Sequence, residues 1–478
     1  MFTKYVLVCV QIIALLLLIN GNPAVAVASN LLIIVHFIYH LRRFKAVMLL
    51  VVFMSTYYMN FAYVYYGGYK TTYYDDYFYP MYYVKTLLIM SLFLLVLYLF
   101  TRRPEAPVYI ADRLERKSNW ALYLVSLAAI TVIIMLGKSG ENILESGGYG
   151  MNSTATFGSL AISEYVVLFI ILGYYYSRSI QYASVLLLGL SFLYIAKMVL
   201  FGGRIEALQV GMLLFILFWE KRLSLMTMLA GGGVIYYVFM VFGRIRADIS
   251  FYLQNPENIN FGLTSYSEGS YMPSNAGEVL YNSTLFSGLL QDGLLGAGDR
   301  MAAAAAFVMR IFLPTGRIPF EQAELSNYLS DISPAGGGGF IASYFFYFFG
   351  FAGVAVIAMV IAVLLNKLAR ASHPLFIFTG IIILTTFPRW LAYDPITMFK
   401  MSFYMLITAV LYAVVHALMA ERPGRPAQQR PFLRLSLVNS REVRAHAPKS
   451  SARRPVSPAG ARLVKGSLQD SRRKRASG

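Results

Sequence analysis

Phe340-Ile-Ala-Ser-Tyr-Phe-Phe-Tyr-Phe-Phe-Gly-Phe-Ala-Gly-Val-Ala-Val-Ile-Ala-Met-Val-Ile-Ala-Val-Leu-Leu365 runs for 26 residues without a charge. Gly336, Gly337, Gly338 and Gly339 precede it, and Lys367 and Arg370 follow. A membrane-crossing helix needs about 20 apolar residues, so this run predicts one span with its basic end on the cytoplasmic side.

The pattern repeats along the chain. Apolar runs at 5–19, 24–39, 47–66, 82–100, 119–137, 160–176, 180–201, 205–219, 223–242, 340–365, 374–387 and 396–420 give twelve predicted spans. The first, second, eighth and eleventh are short, and a re-entrant segment among them would invert all that follows. The fold class is an all-α polytopic membrane protein with one long, partly helical external loop. The predicted layout is nine spans in 1–242, the loop in 243–339, three spans in 340–420 and a basic tail in 421–478.

Composition agrees. The 478 residues are 58% hydrophobic and 13% charged, with mean hydropathy +0.59. Soluble domains carry about 25% charged residues, which excludes an ordinary soluble enzyme and a disordered chain. The net charge of +18 is sorted by side. One set of loops holds Lys4, Arg42, Arg43, Lys45, Arg102, Arg103, Arg113, Arg116, Lys117, Arg178, Lys221, Arg222, Lys367 and Arg370, and the tail adds 15 more basic residues. That side has 29 basic and 7 acidic residues, the other 12 and 16. Both termini are therefore expected in the cytoplasm.

The tail is rich in Arg, Pro and Ser and reads as disordered. It suits docking on anionic lipid or a plain solvated role, and it shows no nucleic-acid motif. Residues 1–28 also fit a signal peptide ending Ala24-Val-Ala-Val-Ala28, but the apolar pattern resumes at once. Cys9 is the single cysteine, so neither an internal disulfide nor a cysteine metal site can form. No two-fold repeat of six spans is evident.

The chemistry is expected outside, where three features meet. The first is arginine. Arg204 stands in Phe201-Gly202-Gly203-Arg204-Ile205-Glu206, where span seven turns into span eight; Arg244, Arg246, Arg300, Arg310 and Arg317 lie in the long loop, and Arg389 between the last two spans. The guanidinium fork suits phosphate, although the nine acids of the loop offer plain ion pairs instead. Arg204 is read as functional, because an interfacial charge is costly alone.

The second is carboxylate without histidine. His36, His40, His373, His416 and His446 all fall near the cytoplasmic side, so a general base outside is a carboxylate or a tyrosine. Candidates are Glu206, Asp248, Glu278, Asp292, Asp299, Glu321, Glu324, Asp331 and Asp394, of which Glu278, Asp299 and Asp394 are preferred. Asp299 equally suits the cap of the helix beginning near Met301. Glu278 opens a helical stretch, and Asp394 shares a short loop with Arg389.

The third is tyrosine, 12 between Tyr57 and Tyr83. They fit a sugar-stacking surface or an interfacial belt. There is no Asp-x-Asp, Walker, HExxH or GxSxG pattern, so a metal-dependent nucleotide-sugar transferase, an ATPase, a zinc protease and a serine hydrolase lack their signatures. The sequons at Asn152 and Asn282 are expected to face outward.

At Gly202-Gly203-Arg204 with the apolar run to Phe218, and at Pro334 through Gly353, the chain resembles the Wzy-type polymerases of bacterial O-antigen and exopolysaccharide. The resemblance lies in the span layout and in short patterns within 180–400. It implies an enzyme of the inner membrane that moves a growing glycan from polyprenyl diphosphate onto the next lipid-linked repeat unit at the periplasmic face. It also implies partnership with a flippase and a chain-length regulator. The related ligases use a histidine in the large outer loop, which this chain lacks. A diphosphate leaving group needs fixed cations and no metal or cofactor. The arginines named above would bind it, a carboxylate would take the acceptor proton, and the four glycines would hinge the loop or simply lead into span ten. A flippase for lipid-linked oligosaccharide and a non-catalytic membrane subunit are the alternatives.

Overall fold

The computed structural model describes residues 2–67, 80–137, 156–157, 160–201, 203–245, 249–259, 275–314, 317–325, 328–329 and 338–420. The basic tail lies outside the described residues.

The chain is a helical polytopic membrane protein. Its helices are α1 Phe2–Ile19, α2 Pro23–Leu41, α3 Lys45–Gly67, α4 Pro80–Phe100, α5 Trp120–Leu136, α6 Val166–Tyr175, α7 Ala183–Leu200, α8 Arg204–Leu214, α9 Leu225–Ile245, α10 Ile249–Gln254, α11 Asn275–Gln291, α12 Ala297–Phe312, α13 Ile341–Leu368, α14 Pro374–Thr385, α15 Phe387–Trp390 and α16 Ile396–Ala420. By length and composition α1, α2, α3, α4, α7, α13 and α16 can each cross a membrane. Shorter apolar helices stand at Trp120–Leu136, Ile162–Tyr175, Leu225–Ile235 and Pro374–Thr385. At the eighth predicted span, α8 continues into a π turn, Phe215–Trp219. Two short strands, Thr156–Phe157 and Leu160–Ala161, pair antiparallel before α6.

The α1–α2 hairpin shows how locally the sequence acts. Gly21 adopts φ +84° at the turn, and the Asn22 side chain accepts from Ala24 N at 3.3 Å, with Pro23 at the first helical position. The segment Ala24–Ala28 thus sits inside α2.

Hydrogen bonds collect the basic connections on one face. Lys4 Nζ donates to Leu99 O at 2.9 Å and Thr101 O at 2.8 Å. Val108 N donates to Arg43 O at 2.8 Å and Lys117 N to Tyr175 O at 2.7 Å. Arg102 N reaches Asn366 Oδ1 at 2.8 Å, and Asn119 Nδ2 meets His416 Nδ1 at 2.9 Å. Glu220 is the centre of this face. Its carboxylate accepts from Ala46 N and Ile110 N at 3.3 and 3.1 Å, and its carbonyl accepts from Lys45 Nζ at 2.9 Å. Burial pushes the Glu220 carboxyl up to about 7, against the pull of those two N–H groups and Lys45.

The described residues of the segment read as a partly helical external loop are largely helical, and α11 is buried. It packs on α3, α4 and α13, with residues 279–289 covered throughout. Its polar side chains turn back on the backbone, Ser283 to Val279 O at 2.7 Å and Thr284 to Tyr281 O at 2.6 Å. Asn282 is 1% exposed within a helix, so its sequon is not presented for modification. The sequon at Asn152 lies outside the described residues.

The glycine run also departs from a hinge at its described end. A Cβ on Gly338 would lie 1.6 Å from Tyr393 O, and one on Gly339 2.7 Å from Phe286. Gly338 lets its backbone touch that of Tyr393, and Gly339 leaves room for the Phe286 ring. A true break occurs within α13, where Gly350 adopts φ 65° and ψ −154°. There Arg300 Nε donates to Tyr347 O at 2.7 Å, supplying a donor where the helical ladder is interrupted.

Candidate functional site

The face opposite Glu220 gathers charge at the helix ends. In the turn from α7 to α8, Gly203 N donates to Met198 O at 2.6 Å, and Gly203 O accepts from Ala207 N at 2.9 Å. A Cβ on Gly203 would stand 3.1 Å from Glu206 Oε2 and 3.0 Å from Met198 Sδ. Glycine there lets Glu206 fold back over the first turn of α8, where the helix dipole favours an acid. Glu206 is 5% exposed. Arg204 opens the helix half-buried, and no ion pair or hydrogen bond engages its guanidinium among the described residues.

Glu164 adjoins this turn. It lies in the short 3₁₀ turn Ile162–Tyr165 ahead of α6, is 1% exposed, and faces Arg389 Nη2 at 3.6 Å. Tyr194 of α7 donates to Ser163 O at 2.7 Å and lies within electrostatic reach of both Glu206 and Glu164. Arg389 belongs to α15, which packs on α8. Glu164, Glu206, Arg204 and Arg389 thus share one corner of this face.

Asp394, five residues on, turns elsewhere. Its Oδ2 meets Arg310 Nη2 at 3.0 Å, while its Oδ1 accepts from Ile396 N at 3.1 Å and so caps α16. Lys400, fully buried one turn into α16, donates to Leu313 O at 3.1 Å and sits within reach of Arg310 and Asp394. Arg389 and Asp394 share a loop, but their ion pairs run to the turn ahead of α6 and to α12. They remain linked by backbone, with Asp394 N donating to Arg389 O at 3.1 Å.

Asp299 has a structural position. Its Oδ2 accepts from Gly296 N at 2.8 Å at the start of α12, and Oδ1 accepts from Gln322 at 3.3 Å and Tyr328 at 3.1 Å. Burial, reinforced by the Asp299 charge, holds the Tyr328 hydroxyl above the ordinary phenol range and keeps it a donor. Arg300 is spent on Tyr347 O, as described above. Asp292 accepts from Tyr82, and Arg317 and Glu321 are exposed. Arg246, Asp248, Asp331 and the side chains of Arg244, Glu278 and Glu324 lie outside the described residues. So do most tyrosines of the 57–83 stretch; Tyr57, Tyr58, Tyr82 and Tyr83 are buried. Among the described residues no group of three His, Cys, Asp or Glu side chains is placed to hold a metal.

Within the predicted spans two buried charges escaped the sequence reading, Glu164 and Lys400. Each is a single charge inside a predicted span, and intramembrane charge is itself the signal that finds them.

Comparison with known proteins gives no match: no family model, curated protein or solved structure is similar to the chain.

Proposed function

We propose that the protein is a metal-independent glycosyltransferase of the bacterial inner membrane, extending a lipid-linked glycan at the periplasmic face. The twelve-span topology with both termini cytoplasmic belongs to this proposal. Arg204 carries it: a half-buried guanidinium at a helix start, among charged groups on the face away from the basic connections. A cation kept there with no ion partner among the described residues suits an anionic ligand that arrives from outside.

The donor is a glycan joined through its anomeric carbon to polyprenyl diphosphate. The acceptor hydroxyl attacks that carbon, the carbon–oxygen bond to diphosphate breaks, and the hydroxyl proton passes to a carboxylate. Arg204 and Arg389 stabilise the charge growing on the departing diphosphate. Asp299 and Asp394 are engaged in helix capping and ion pairing, so the proton falls to Glu206, beside Arg204, or to Glu278, the earlier candidate. Glu206→Gln and Glu278→Gln each keep shape and remove the base, and loss of turnover identifies which one acts.

The shared corner of Arg204 and Arg389 with Glu164 and Glu206, at helix ends, favours an enzyme over a flippase. The deciding experiment is gene deletion with analysis of surface glycan. Export of single repeat units supports polymerisation. Lipid-linked units accumulating on the cytoplasmic face would overturn it in favour of the flippase.

A further inference from the structure

Three helix ends converge at one corner of the basic face: the start of α1 and the ends of α2 and α4. Lys4 Nζ, held by Leu99 O and Thr101 O, lies 5.2 Å from the Tyr98 ring centroid. Tyr98 Oη is 2.6 Å from His36 Nδ1. His40, one turn along α2, has its ring centroid 6.0 Å from that of His36. Beside them the exposed ring of Tyr39 has the Arg42 guanidinium 4.3 Å from its centroid and that of Arg103 at 6.0 Å.

Among the described residues the corner is basic without a counter-charge. The cationic side chains acting on His40 are Lys4 and Arg103, with the His36 ring beside it, and none of these groups is an acid. Ion pairs among the described residues join Lys221 to Asp112, Arg310 to Asp394 and Arg389 to Glu164, and use no member of this cluster. Arg43, next in the chain, donates to the backbone carbonyl of Glu105, not to its carboxylate. His40 Nε2 is buried and finds no hydrogen-bond partner among the described residues. Like charges held together repel, and an anion seated among them removes that cost. Two guanidiniums beside one ring present the planar donors that fit phosphate oxygens.

The approach to this corner is apolar. Leu32, Val35 and Tyr39 follow one another by three and four residues on α2, and are 57%, 67% and 52% exposed. That spacing makes one helix face, leading along a membrane-crossing helix to the two arginines. It suits an acyl chain lying beneath a headgroup.

We propose that the α1–α2–α4 corner binds the phosphate of an acidic phospholipid through Arg42, Arg103 and Lys4, with an acyl chain along Leu32 and Val35. Basic pockets between membrane helices on the positively charged side are sites where lipid phosphate binds. This inference needs only the membrane location of the chain and stands apart from the polymerase reading.

The test uses the full chain in detergent, titrated with phosphatidylglycerol, phosphatidylcholine or inorganic phosphate, and read by thermal stability and by native mass spectrometry. Phosphatidylglycerol should stabilise the protein and remain bound, while phosphatidylcholine should not. Arg42→Gln/Arg103→Gln should bind it about 30-fold more weakly, since each basic side chain near a membrane surface contributes roughly fivefold. Arg103→Gln alone, at an exposed position, should cost about fivefold and stands in if the double variant fails to fold. Arg116→Gln/Arg178→Gln, on the same face, should bind as wild type does. An equal loss in that control, an equal response to phosphatidylcholine, or the full response from inorganic phosphate alone would overturn the proposal.

Discussion

Arg310 reaches Asp394 across 84 residues of chain, Nη2 to Oδ2 at 3.0 Å. The pair fastens α12, from the long segment between α9 and α13, to the cap of α16. Asp394 therefore has two duties, and substitutions separate them. Asp394→Ala loses both the cap and the counter-charge of a nearly buried arginine, and should lower stability by about 3 kcal/mol. Asp394→Asn keeps the acceptor for Ile396 N and should cost less. Thermal denaturation of both variants, with Arg310→Met closing a double-mutant cycle, measures the split; equal losses for Ala and Asn would remove the capping role.

Arg204 and Arg389 should behave oppositely in a stability assay. Arg204→Ala removes no ion pair among the described residues, so folding should change by no more than about 0.5 kcal/mol, while glycan extension stops. Arg389→Ala withdraws the cation 3.6 Å from buried Glu164 and should cost about 3 kcal/mol. Purified yield and melting temperature, alongside polymer length on gels, decide the matter; normal polymer in Arg204→Ala sinks the enzymatic assignment.

Asp299→Asn should retain turnover. The amide still offers one acceptor to Gly296 N, and the expected loss is about 1 kcal/mol of stability. Abolished turnover in a well-folded Asp299→Asn would restore the residue as the base.

Glu220 makes stability depend on pH. Its carboxyl sits at about 7 in the fold against 4.5 for an ordinary glutamate. Between those values the folded state holds the extra proton, so stability is greatest below about 4.5 and falls as pH rises through about 7. The term is roughly 3 kcal/mol at most. Melting curves near pH 5 and pH 8 should show it, and Glu220→Gln should flatten the difference while keeping an acceptor for one of its two N–H donors.

Gly338→Ala should fail to fold, because its Cβ would overlap Tyr393 O at 1.6 Å and both groups are backbone. Gly232→Ala, with nothing within 4 Å, should be stabilising by up to about 1 kcal/mol. Comparable expression of the two would contradict the close approach of the 338 and 393 backbones.

The bundle was legible because uncharged runs such as 340–365 admit one environment. What escaped has physical causes. Serines and threonines lower the apolarity of α11, yet Ser283, Thr284 and Ser287 hydrogen-bond along their own helix, so burial left no signature in hydropathy. Glu164 and Lys400 were hidden in apolar runs, where one charge barely moves an average. Asp299 suited capping and catalysis alike by sequence, and its contacts with Gly296, Gln322 and Tyr328 favour the cap. The partners of Arg389 and Asp394 lie on distant elements, beyond what local spacing carries.

The seat of α11 also sets an order of assembly. One wall of its site is α13, which leaves the ribosome after α11 does. Until then the Asn282–Ser287 face has two walls instead of three, and the segment waits outside its groove. Translation stalled before Ile341 should leave α11 open to proteases and labelling reagents, and release of the full chain should close it.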